Sequence, residues 1–260
     1  MSSLRDLNVL KFSILSRLAV VLLSLLSSSL VPTYDVSFDV RPTPNQAASL
    51  FESLARWDGV YFVRLAQTNL IYEFEQFHAF FPLLPTLLHY CTQWTTVFLS
   101  SSPPPTEITS TSPLLVLPAP PRSHYILTGV IITNLAFVLA ALVLYRLGLA
   151  IYGPHQEAKA YTGALLFCVS PASIFFSAIY TESVFALFSF GFMLCYVQMI
   201  RVIRGNRADS SSSSGAMVEL LPWWGGCTTC GVLATFTRSN GVVLAAYPLH
   251  FVLLSLGSRS

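Results

Sequence analysis

Uncharged apolar stretches recur along the chain near residues 12–31, 77–100, 124–145, 160–179, 183–200, 223–237 and 239–257. Most approach the roughly 20 residues that a helix needs to cross the ~30 Å hydrocarbon core of a bilayer. The last two are short and are separated by Arg238, so they read as one span plus a broken one. The pattern predicts six or seven membrane helices in an all-α, multi-spanning bundle. The first run is interrupted only by Arg17 and no small-residue cleavage site follows it, so it reads as a retained span rather than a signal peptide.

Two stretches break the pattern. Residues 100–123, "SSSPPPTEITSTSPLLVLPAPPRS", read as an extended Ser/Pro-rich loop, because consecutive prolines forbid helix. Residues 204–216, "RGNRADSSSSSGA", read as a disordered polar linker. Neither is large enough for a domain, so residues 1–260 form one multi-pass membrane unit. Arg5, Lys11 and Arg17 favour a cytoplasmic N-terminus, which puts the loop at 32–76 on the far, luminal side. Arg201, Arg204 and Arg207 make the linker cytoplasmic as well. Simple counting of spans then places that linker on the wrong face. Either 77–100, with Pro82, Pro85 and His89, fails to cross as a simple helix, or a span is miscounted elsewhere.

Composition agrees with a lipid setting. The chain is 53% hydrophobic and 10% charged, against about 25% charged residues in a soluble domain. A net charge of +2, with aromatics buried in apolar runs, excludes nucleic acid as a partner. Of five cysteines, Cys91, Cys168 and Cys195 lie well inside apolar segments. Cys227-Thr-Thr-Cys230 has metal or redox spacing but no second Cys/His pair, so it is read as structural.

Chemistry concentrates in the loop at 32–76. Read as one helix, residues 50–65 place Leu50, Leu54, Trp57, Tyr61 and Leu65 on a single stripe, with Asp58 and Arg64 at its margins and Arg56 roughly opposite. Such a helix lies in the membrane surface with Trp57 and Tyr61 at headgroup level. Glu73, Glu75 and His78 follow just before the next apolar segment. Ionisable residues at an apolar boundary are candidate site groups, with a solvated face or a distant ion pair as the plain alternative.

Three blocks in order, "RWDGVYFVRLAQTNLIYEFEQFHAFFPLLP", "LFCVSPASIFFSAIYTESVFALFSF" and "TFTRSNGVV", resemble the GPI mannosyltransferase 2 family of PIG-V type. The resemblance implies a GT-C glycosyltransferase bundle in the endoplasmic reticulum membrane. It also implies transfer of the second mannose, in α-1,6 linkage, from dolichol-phosphate-mannose to the GPI precursor. Residue by residue, it implies that Asp58 is the catalytic carboxylate of the first luminal loop and Glu75 the second acidic position. It also makes Tyr180, Glu182, Arg238 and Asn240 functional, and with Arg56, Trp57, Arg64, Glu73 and His78 they form the substrate-binding set. Family members are longer, so the chain reads as a C-terminally incomplete member. A small membrane accessory subunit is a further expected partner.

The chemistry explains the residue types. An acceptor hydroxyl is a poor nucleophile, so a positioned carboxylate base is wanted, worth about 10²–10⁴-fold. Arginine suits the departing lipid phosphate through its bidentate fork. A β-linked donor and an α-linked product need one inverting displacement. Neither a metal nor another cofactor is expected, since a lipid monophosphate carries less charge than a diphosphate and no D-x-D occurs, only Glu73-Phe-Glu75. Two other classes compete. A transporter is disfavoured by nearly charge-free spans and the absence of an internal repeat, while a non-catalytic membrane subunit is the other reading.

Overall fold

The computed structural model describes residues 2–31, 51–99, 120–208 and 213–257. All of the regular structure there is helical. Helix α1 covers Ser2–Leu30, α2 Asp58–Gln67, α3 Leu83–Leu99 and α4 Arg122–Tyr152. Next come α5 (Glu157–Cys168), α6 (Ser173–Ser177), α7 (Glu182–Ala208), α8 (Ser213–Thr237) and α9 (Ala246–Gly257), with short 3₁₀ turns at Glu52–Ala55, Glu75–Ala79 and Ser239–Ala245. Each apolar stretch of the sequence coincides with one of these helices or with a broken pair. Among the described residues three helices are long and apolar enough to cross a membrane: Leu4–Leu30, Arg122–Tyr152 and Glu182–Gly205. The Ser/Pro stretch falls mostly outside the described residues. Of the linker at 204–216, residues 209–212 lie outside them, and α7 and α8 run into it from either side.

Polar contacts fix which helix ends lie together. At one end, Arg146 near the close of α4 makes a paired contact with Asp6 at 2.7 Å. Arg5 meets Glu157 at 3.3 Å, and Arg201 donates to the Ala150 carbonyl. At the opposite end, Ser24 of α1 approaches Ser53, and Arg122, only 8% exposed at the start of α4, pairs with Glu52 at 3.0 Å. There also the Ile179 N–H donates to the Leu54 carbonyl at 2.9 Å. Helix α1 therefore finishes, and α4 starts, at the same end. The 17-residue α3, with Pro85 in its first turn, adds no net crossing. On this arrangement the start of α1 and the close of α7 lie at one end of the bundle, as a non-crossing 77–100 segment would require.

Helix α5 has 12 residues, about 18 Å of length, well short of a ~30 Å core. The chain then breaks at Val169–Ala172 and continues as α6 before α7 begins. Irregular backbone at membrane depth is tolerated only where protein satisfies it. Here Thr133 and Asn134 of α4 both donate to the Ser177 carbonyl, each at 3.2 Å, and Ser16 of α1 donates to the Cys168 carbonyl at 2.5 Å. Arg17 joins them. It is 3% exposed and binds the Ser173 carbonyl at 2.9 Å and Ser177 Oγ at 3.1 Å. Positive-inside counting treats Arg17 as a flanking charge, and the structure corrects it. Its guanidinium points inward to the broken span, so it carries no weight in that count.

Between lipid-facing helices there is no hydrophobic driving force, so close packing and hydrogen bonds hold the bundle. Small residues permit that on α7 and α8. A Cβ built on Gly226 would come within 2.8 Å of Cys195 Sγ, and one on Gly191 within 3.0 Å of Cys230 Sγ. Cys195, Cys227 and Cys230 are free thiols in this helix contact.

Candidate active site

The break between Ala55 and Asp58 shapes the site. The single helix expected over 50–65 does not form. Among the described residues of that stretch, a 3₁₀ turn ends at Ala55, Arg56 is extended, and Trp57 takes φ 54° and ψ −124° before α2 begins at Asp58. A positive φ at a bulky residue is an outlier costing about 1–3 kcal/mol, a strain that clusters at functional sites. The stripe is split accordingly: Leu54 and Leu65 are buried, whereas Trp57 is 52% exposed. Asp58 thus stands at the N-terminus of a helix and not at the margin of a continuous one.

The non-helical residues 178–181, with Glu182 at the start of α7, are docked against this corner. The Ile179 to Leu54 hydrogen bond anchors them, and a core of Leu54, Phe62, Val63, Leu84, Leu88, Ile126 and Ile179 fills the space below. Gly59 allows the approach, because a Cβ there would already sit 3.3 Å from the Ile179 carbonyl oxygen. The Tyr180 phenol takes a hydrogen bond from the Asp58 backbone, using one of the N–H groups that a helix start leaves unpaired. Two residues on, Glu182 Oε1 accepts from Arg238 Nη1 at 2.7 Å, which brings in the end of α8.

These neighbours set the electrostatics. Asp58 is open to the exterior on one side, yet crowding on the other pushes its pKa above the usual carboxylate value. Desolvation is the main cause, the Glu182 charge adds to it, and Arg238 opposes both. Tyr180 is pushed up to about 12, chiefly by burial and then by the Asp58 charge, so its phenol stays a neutral donor. Asn240 lies exposed in the turn after Arg238. That turn folds tightly back on α8, since a Cβ on Gly241 would collide with the Thr235 amide nitrogen at 2.3 Å.

Beside this corner lies a groove of about 630 Å³. One wall is apolar, from Val20 and Leu23 of α1 and Ile174 and Phe175 of α6. Arg56, Trp57, Tyr180 and the hydroxyls of Ser24, Ser27 and Ser53 also line it.

The structure therefore gathers Arg56, Trp57, Asp58, Tyr180, Glu182, Arg238 and Asn240 at one end of the bundle. The remaining sequence candidates lie elsewhere in the loop. Arg64, near the close of α2, grips Glu73 through a two-pronged contact at 3.2 and 3.3 Å. His78 stacks on Tyr72 with ring centroids 5.0 Å apart. Glu75 opens its 3₁₀ turn exposed, and the charges acting on Asp58 are Glu182 and Arg238, not Glu75. That turn is fixed by aromatic packing, with Phe80 stacked on Tyr61 at 4.7 Å. Sequence reading missed Glu52 and Arg122, which brace the corner from α4, and it missed the inward role of Arg17. For Arg17 a signal existed, a charge inside an apolar run. Among the described residues no group of three or more His, Cys, Asp or Glu side chains is arranged to hold a metal.

A protein family described as Mannosyltransferase (PIG-V) matches residues 6–251. The chain is 32% identical over 209 residues to GPI mannosyltransferase 2 of Drosophila pseudoobscura pseudoobscura, covering 79% of this chain and 37% of that protein. It is 34% identical over 201 residues to GPI mannosyltransferase 2 of Chaetomium globosum, covering 76% and 38%. Against GPI alpha-1,6-mannosyltransferase 2 of Homo sapiens it is 30% identical over 252 residues, covering 93% and 42%. The chain thus spans about two fifths of the length of these relatives. No solved structure matches it.

Proposed function

The chain belongs to the mannosyltransferase (PIG-V) family, and on that footing we propose that it transfers mannose to the GPI-anchor precursor. The donor is a dolichol-phosphate-mannose, the new bond is the α-1,6 linkage of the second mannose, and the corner around Asp58 faces the lumen of the endoplasmic reticulum. The observation that carries this reading is the convergence of Asp58, Tyr180, Glu182 and Arg238 at one bundle end, beside a groove lined by membrane helices.

The residues fit the steps of such a transfer. Asp58 takes the proton of the acceptor hydroxyl as the oxygen attacks the anomeric carbon, and its raised pKa strengthens it as a base. The carbon–oxygen bond to the lipid phosphate breaks from the opposite face, so configuration inverts in one displacement. Arg56 meets the departing phosphate, and the apolar wall of the groove takes the lipid chain that carries it. The neutral Tyr180 phenol orients sugar hydroxyls, and the Glu182–Arg238 pair keeps that wall in place. A lipid monophosphate is neutralised by arginine, so this reading requires no metal.

Microsomes from cells lacking the endogenous second-mannose activity supply the test. Expression of the protein should restore conversion of the one-mannose precursor in a way that depends on dolichol-phosphate-mannose. Stable insertion without any conversion would favour a non-catalytic membrane subunit.

A further inference from the structure

A buried guanidinium in the middle of a membrane helix is costly unless hydrogen bonds offset its desolvation. In Arg17 both terminal nitrogens are hydrogen-bonded, and Nε is buried without a hydrogen-bond partner among the described residues. Arg17 sits near the centre of the 29-residue α1 and is 3% exposed. Its partners are carbonyls and hydroxyls: Ser173 O at 2.9 Å, Ser173 Oγ at 3.0 Å, Ser177 Oγ at 3.1 Å, Ser16 Oγ at 2.9 Å and Cys168 O at 3.5 Å. The guanidinium carbon also lies 3.7 Å from the centre of the Phe137 ring. Among the described residues no carboxylate pairs with it. These contacts do two jobs. The Cys168 carbonyl belongs to the closing end of α5, where unpaired carbonyls and the helix dipole favour a cation, whereas Ser173 offers its carbonyl and hydroxyl from the first residue of α6. The planar fork also ties both sides of the Val169–Ala172 break to one point on α1.

Beyond the break, the chain builds the wall of the candidate site. Ser177 is held by Arg17 through its hydroxyl and by Thr133 and Asn134 through its carbonyl. Two residues later Ile179 is bonded to Leu54, and Tyr180 then meets Asp58. Glu182 meets Arg238. The limb from Ala178 to Thr181 is not helical, so its position is set by its anchorages: Ser177 below, Leu54 above and the start of α7 at Glu182.

We infer that Arg17 is a positioning residue, clamping the broken span from within the membrane so that Tyr180 and Glu182 stand beside Asp58. The role rests on the mannosyl-transfer reading only for its consequence. The clamp itself can be tested without any turnover.

A Cβ on Gly59 would lie 3.7 Å from the Ile179 Cβ, within the ~3.5–4.5 Å of a disulfide. Gly59→Cys with Ile179→Cys, in a chain whose five native cysteines are replaced and with a protease site inserted near Pro105, gives halves that stay covalently joined after cleavage only when the bridge has formed. In oxidised membranes the pair should cross-link efficiently with Arg17 present. Arg17→Lys keeps the charge but not the fork, and Arg17→Gln removes the charge. The cross-link should fall several-fold in the first and further in the second.

In chains without the paired cysteines, kcat per inserted molecule should fall in the same order, about tenfold or more for Arg17→Gln, with the KM for donor changed less than threefold. The acid limb of the pH profile should move to lower pH, because the limb's crowding and Glu182 together raise the Asp58 pKa. Full cross-linking, or unchanged kcat despite lost cross-linking, would overturn the positioning role. If Arg17→Gln fails to insert, Arg17→Lys decides alone. Arg17-dependent cross-linking in a protein that transfers no mannose would leave the clamp standing and remove the enzymatic reading instead.

Discussion

Glu182 and Arg238 form a 2.7 Å ion pair that links the start of α7 to the end of α8, and both charges act on Asp58 from the same side. They act in opposite senses. Glu182 raises the Asp58 pKa and Arg238 lowers it, while desolvation is the larger raising cause. A base works only when deprotonated, so transfer is lost as pH falls through its pKa. Glu182→Gln should therefore move the acid limb of the pH–rate profile to lower pH, and Arg238→Gln should move it to higher pH. Profiles of kcat over KM for the two variants check this. Shifts in the same direction for both would show that the pair is coupled to some other base.

Tyr180 offers a milder probe. Tyr180→Phe removes the phenol that accepts from the Asp58 backbone, a bond worth about 0.5–1.5 kcal/mol in net terms. Protein abundance should stay within twofold and transfer should drop by about tenfold, with the pH profile little changed. Loss of abundance with normal turnover per molecule would make the phenol structural only.

The Arg64–Glu73 pair should matter little. Both side chains are solvent-accessible, and exposed ion pairs contribute about 0–1 kcal/mol. Arg64→Ala and Glu73→Ala should leave mannose transfer per molecule within twofold of the parent. A hundredfold loss in either variant would return this end of α2 to the active site.

Helix positions were legible because lipid demands long apolar stretches, and the three blocks of quoted sequence carried the functional corner. What escaped had physical causes. A stripe at helical spacing does not record that Trp57 takes a positive φ, so the break that puts Asp58 at a helix start was invisible. A shared loop does not imply a shared cleft. Arg64 lies six residues along α2 from Asp58, about 9 Å of helix rise, and is turned toward Glu73. The charge of Arg17 is plain in the sequence, whereas its direction depends on the break after α5, which no periodicity marks.

The bundle ends give a topological expectation. The corner with Glu52, Asp58, Arg122 and Glu182 lies at one end, and Asp6, Arg146 and Arg201 lie at the other. A glycosylation sequon placed near residue 45 should be modified in microsomes, and one near residue 211 should not. The reverse pattern would put Asp58 on the cytoplasmic face and contradict the proposed luminal site.

The most direct test of the central claim is mannose transfer per inserted molecule of Asp58→Asn, read together with the one-mannose precursor in cells that rely on it. The amide keeps the size of the side chain but cannot take the acceptor's proton. Transfer should fall about 10²-fold or more, roughly 2.7 kcal/mol of transition-state stabilisation. Abundance and insertion should hold, and the precursor should accumulate. Unchanged specific activity, with only the amount of protein reduced, would contradict the assignment of Asp58 as the base.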